Sequence, residues 1–103
     1  MKDLMSKLGP RKFLSVFDLY IQIKNSEEKE IKLPLVVLSL SNGVSLSGEI
    51  VAMNEKENLL SLFLSEPNYK NSVSFIHMNT VVSVTFKDID LCPEFLDKLV
   101  KLR

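Results

Sequence analysis

The chain has 103 residues, 46% of them hydrophobic and 25% charged, with 13 basic side chains balancing 13 acidic ones. That length serves one domain with one core, and a domain this small keeps much of its surface wet and gains from assembly. A formal net charge of zero counts against a protein that holds nucleic acid by bulk electrostatics, which takes clustered Lys and Arg.

Three segments follow one another along the chain. Residues 1–33 are charged and mixed. Gly9-Pro10 marks a helix start, with Pro10 suited to the first helical position. Phe13, Val16, Phe17, Tyr20 and Ile21 or Lys24 then recur at helical spacing. Leu19 to Lys24 also alternates as a strand would, and the helix is the preferred reading. Asn25 to Glu30 reads as a solvated connector.

Residues 34–87 change character. Leu35 to Ser41, rich in Leu and Val, predicts a first strand. Asn42-Gly43 predicts a type I′ hairpin turn, which needs positive φ at both centres. Val44 to Asn54 is a long second strand, with Val44, Leu46, Gly48, Ile50 and Ala52 as its core face and Ser45, Ser47, Glu49, Val51 and Met53 as the other. Gly48 in mid-strand marks a sharp bend or a close backbone approach. After the polar turn Glu55-Lys56-Glu57, Asn58 to Ser65 is the third strand and Glu66 to Ser72 a loop. Val73 to Met78 is the fourth strand, Asn79-Thr80 a tight turn and Val81 to Lys87 the fifth strand.

Residues 88–103 open on a break at Asp90-Leu91-Cys92-Pro93 and continue as a short helix carrying Phe95, Leu96, Leu99 and Val100 on one stripe. Its acid comes early and its bases late, as the helix dipole favours. The expected fold is mainly β: a five-stranded, strongly bent antiparallel barrel with an N-terminal helix and a short C-terminal one.

Charge is unevenly spread. Within 34–90 the bases are Lys56, Lys70 and Lys87 against Glu49, Glu55, Glu57, Glu66, Asp88 and Asp90. From Val73 to Phe86 there is no Asp, Glu, Lys or Arg, and His77 is the one titratable side chain. Two apolar strands without a guarding charge are an aggregation hazard at a sheet edge. They are expected either to lie beneath the terminal helices or to pair, the fourth strand of one subunit with the fifth of the next, which closes a ring if the rotation permits.

The residues resemble a known family at this point. Asn42-Gly43-Val44-Ser45-Leu46-Ser47-Gly48-Glu49-Ile50 resembles the first half of the first Sm motif, and Ala52-Met53-Asn54-Glu55-Lys56-Glu57-Asn58-Leu59 its second half. Ile76-His77-Met78-Asn79-Thr80-Val81 falls where the second Sm motif lies, and the run from His77 to Val82 is similar to the bacterial Hfq branch of the Sm/Lsm-like family. The match spans about half of the chain. It implies a homo-oligomeric ring of six or seven subunits that binds single-stranded RNA, often U- or A-rich, through loops facing the pore. Asn54 replaces the family's Asp, Lys56 stands where an aromatic or His commonly stacks on a base, and Met78 replaces a glycine.

The RNA-contact candidates are therefore Asn54, Lys56, Asn58, His77 and Asn79, while Gly43 and Gly48 serve turn and bend. A second expectation is an Sm-fold assembly or protein-interaction module without RNA binding, motivated by the neutral charge and the absent stacking aromatic. Cys92, the single cysteine, excludes an intrachain disulfide and reads as a buried small hydrophobe. No phosphate loop, metal set or catalytic constellation is present, so neither an enzyme nor a cofactor is expected. The start lacks a signal peptide's apolar core and no apolar run spans a bilayer, so a cytoplasmic location and no membrane partner are expected.

Overall fold

A computed structural model describes residues 12–26, 31–65 and 71–102. The expected helix start at Pro10 and parts of the 25–30 connector and the 66–72 loop lie outside the described residues. The elements in order are helix α1 (Lys12–Lys24), strands β1 (Leu35–Leu40), β2 (Ser45–Asn54), β3 (Leu59–Leu64) and β4 (Val73–His77), a 3-10 turn (Met78–Thr80), β5 (Val81–Lys87), a second 3-10 turn (Ile89–Leu91) and helix α2 (Pro93–Val100). This is a mixed α/β domain: one five-stranded antiparallel sheet with a helix before it and a helix after it.

The strand order is β4-β3-β2-β1-β5, and every pairing is antiparallel. The five antiparallel strands are as expected, but the sheet does not close into a barrel, because β4 and β5 are the two outer strands and do not pair with each other. The sheet nevertheless has to curl. Residues 78–80 alone connect the two outer strands, and the four steps from His77 to Val81 reach about 14 Å. The edges of a flat five-stranded sheet stand about 19 Å apart. One connection therefore holds the two edges near each other at one end.

Three local devices bend the sheet. Gly48 faces Val36 on one side and Leu64 on the other, and a Cβ built on it collides with the Phe63 carbonyl oxygen while standing 2.9 Å from the carbonyl carbon. The β2–β3 register shifts between Ile50 and Ala52, and the β1–β5 register between Ser39 and Leu40. Each shift adds an unpaired residue, Val51 and Val82, and such bulges raise the local twist. The first also flips the parity of β2. Ile50 is buried, but beyond the bulge Met53 packs against the core and Ala52 is exposed. The expected core face holds only through Ile50, and Val44 at its start is exposed as well.

The hairpin between β1 and β2 also differs from the expected form. Gly43 has φ 90°, but Asn42 is not in the positive-φ region. Gly43 N–H donates to Leu40 O at 2.9 Å and Leu40 N–H to Val44 O at 2.8 Å. That is a three-residue loop ending in a left-handed glycine, the other common hairpin solution. The Asn42 side-chain oxygen accepts from Val44 N–H at 3.0 Å, a local bond that the two-residue turn does not need.

Val36, Leu38, Ile50, Leu60, Leu62 and Ile76 fill the inner face of the sheet, and Phe17 and Tyr20 of α1 with Phe95 of α2 cover it. Phe86 of β5 joins Tyr20 and Phe95 in an aromatic cluster, with ring centroids 5.0–6.3 Å apart. Of the stripe expected on α2, Phe95 is buried and Leu99 half-buried, while Leu96 and Val100 face outward. Cys92 is buried and free.

Tyr20 anchors α1: its hydroxyl donates to Pro34 O at 3.1 Å. Burial, and next the nearby Glu49 charge, push its phenol well above the usual value. A raised folded pKa means stability that is complete below about pH 10 and fades as pH rises beyond it. Urea unfolding of the wild type is expected to show this alkaline loss. In Tyr20→Phe the part due to this residue disappears, at a cost of about 1 kcal/mol at pH 7 for the lost bond.

Candidate functional site

The turn between β2 and β3 is built by its two asparagines. Asn54 Oδ1 accepts from Glu57 N–H at 3.0 Å. Asn58 takes φ 59°, a left-handed conformation that asparagine tolerates far better than branched residues. Its N–H donates to Glu55 O at 3.2 Å, and its own carbonyl accepts from Met78 N–H at 2.9 Å. The 55–58 turn is thereby tied to the 3-10 turn after β4. That 3-10 turn also meets the first hairpin, since Ser41 N–H donates to Thr80 O at 2.7 Å. Thr80 Oγ1 donates back across the turn to His77 O at 2.8 Å.

The structure brings the five sequence candidates to this one end of the sheet. Asn54 lies opposite Leu59, and Leu59 opposite His77. These three form one row on the outer face, so Asn54 and His77 stand two strand spacings apart, about 10 Å. Asn58 and Asn79 flank the row through the Asn58–Met78 bond. Lys56, Asn54, His77 and Asn79 are exposed and Asn58 is half-buried. Lys56 sits between Glu55 and Glu57, so the turn carries more negative than positive charge. The cluster offers amides and an imidazole for hydrogen bonding, and little attraction for phosphate.

The next row inward is Ala52, Ser61 and Phe75. Phe75 is 69% exposed, the largest value among the exposed large hydrophobic residues described. It borders an open groove of about 540 Å³ that Met53, Asn54, Glu55, Lys56 and Leu59 also line. Sequence reasoning had assigned no role to Phe75. The signal was the alternation in β4, because a buried Ile76 puts Phe75 and His77 together on the opposite face.

The outer strands complete the geometry. Val73 on β4 is 47% exposed and Val82 on β5 is 58% exposed, and each strand has a sheet partner on one side alone. Among the described residues no helix is long and apolar enough to cross a membrane. The five-stranded antiparallel order with its N-terminal helix is compatible with an Sm-like fold. Comparison of the chain with protein-family models, curated proteins and solved structures returns no significant match.

Proposed function

We propose that this chain assembles head to tail into a closed ring, β4 of one copy pairing with β5 of the next, and that the ring binds single-stranded RNA at its turn cluster. The observation that carries this reading is the pair of open outer strands, β4 and β5, which lie in a run from Val73 to Phe86 that holds no Asp, Glu, Lys or Arg. Unpaired strand edges are templates for further pairing. Because the two edges are different surfaces of one molecule, the contact is heterologous and closes by rotation. A ring repeats the turn cluster once per subunit, which is how weak individual contacts add to useful affinity. Asn54, Asn58, His77 and Asn79 would read base edges and Lys56 would meet phosphate.

The acidic surroundings of Lys56 favour a second reading, in which the same assembly is a protein-interaction module. Size-exclusion chromatography with light scattering and a 260/280 nm absorbance record separates the two. A multimer that copurifies with nucleic acid, or gains it from added RNA at low salt, is the expected result. A nucleic-acid-free multimer that binds no added RNA supports the second reading, and a monomer at micromolar concentration overturns both.

A further inference from the structure

We infer that Phe75 is a base-stacking platform, so that the groove beside it takes one nucleotide of a single-stranded nucleic acid. The inference deepens the RNA-binding reading above and rests on it. Phe75 occupies an outward position at one end of a row whose other members, Ser61 and Ala52, are small. Their size leaves space beside the ring, and the groove of about 540 Å³ is within the roughly 300–1,000 Å³ typical of small-ligand sites.

The lining is graded along its length. Phe75, Ala52 and Leu59 line its apolar part, and the polar residues Asn54, Glu55 and Lys56 line the turn end. A nucleotide matches that gradation: a flat apolar face for the ring, polar base edges for Asn54 and Glu55, and a phosphate for Lys56. A second copy pairing with the free edge of β4 would approach Phe75 from the opposite side. It would leave the Ser61–Ala52 side, where the groove lies, open. With Glu55 and Glu57 offsetting Lys56, phosphate attraction is weak, and stacking, which is indifferent to base identity, has to carry the affinity.

The test is fluorescence anisotropy of labelled oligo(A) and oligo(U) RNA at low salt. It compares the full chain with Phe75→Leu and Phe75→Tyr, with circular dichroism and light scattering on each. Removing a stacking aromatic is expected to weaken binding by about 5- to 150-fold in Phe75→Leu. Phe75→Tyr should stay within about twofold, because it keeps the aromatic face. The slope of log K against log salt should be the same in all three, since no charge changes. Equal binding by Phe75→Leu and wild type overturns this inference alone. No binding by wild type overturns the RNA reading together with it. A loss that accompanies dissociation in Phe75→Leu, and that a monomeric β5 variant reproduces, assigns Phe75 to the subunit joint and overturns the platform.

Discussion

Gly48→Ala is expected to cost about 3 kcal/mol or more, and Gly48→Val to leave the chain largely unfolded at room temperature. The ordinary expectation runs the other way, since replacing glycine in a strand normally gains about 0.5–1 kcal/mol through backbone entropy. Gly48 does not need its freedom of φ, because it is absent from the positive-φ positions. It needs the space. The atoms that meet a new Cβ are the Phe63 carbonyl and the Leu64 Cα, the latter at 3.0 Å. Both belong to the backbone of the paired strand and cannot rotate away. Relief requires β2 and β3 to separate at the Gly48–Leu64 pair, beside the core residues Ile50 and Leu62. Overpacking usually costs about 1–3 kcal/mol where side chains can adjust, so a rigid backbone puts the change at or above that range. A small domain has only about 5–15 kcal/mol in hand. Urea denaturation measures the loss, and an unchanged midpoint for Gly48→Ala would show that the strands have room after all. Gly43→Ala is the contrasting change, since nothing lies within 4 Å of its added Cβ and only the φ of 90° resists.

Much of this geometry was legible in the residues, and the parts that were not have a common cause. The strands were visible because β-branched and aromatic runs alternate with polar residues between turn signals. The helix over 12–24 was visible in the spacing of Phe13, Phe17 and Tyr20, and the structure buries Phe17 and Tyr20. Gly48 announced a close approach, and the Phe63 carbonyl supplies it. Strand period counts residues, however, and says nothing of where one is skipped. The bulge at Val51 therefore moved Met53 to the core side and Ala52 outward. The Asn42-Gly43 pair signalled a hairpin, but the same pair serves a two-residue and a three-residue loop, and the Asn42–Val44 bond goes with the latter. Closure of a barrel depends on whether the first and last strands of the order reach each other. No local pattern encodes that, and β4 and β5 remain outer strands. The candidate site was legible as polar turn residues. Its grouping followed once the Asn58–Met78 bond joined two turns twenty residues apart, and the signal for Phe75 was its alternation with the buried Ile76 in β4.

An assembly joined through strand edges is expected to fall apart when Val73→Asp and Val82→Asp are combined. Light scattering should then report the 11.7 kDa monomer at concentrations where the wild type is a multimer. The choice of positions separates assembly from folding. Both side chains are already exposed, at 47% and 58%, so their replacement in the single subunit should change stability by no more than about 0.5 kcal/mol. In a β4–β5 joint the same positions lose water on pairing. Each carboxylate then brings a desolvation cost, and like charges brought across the joint add repulsion. A single guarding charge is how edge strands commonly avoid partners, and Val73 to Phe86 carries none. Val73→Lys combined with Val82→Asp is the informative companion. It introduces the same number of charges with opposite sign, so it should retain more multimer than the double aspartate, and the difference should shrink in high salt. If the double aspartate keeps the wild-type mass, subunits meet elsewhere. If both variants are equally monomeric, desolvation outweighs charge sign at the joint. If wild type and variants alike run as monomers, assembly through the strand edges is overturned.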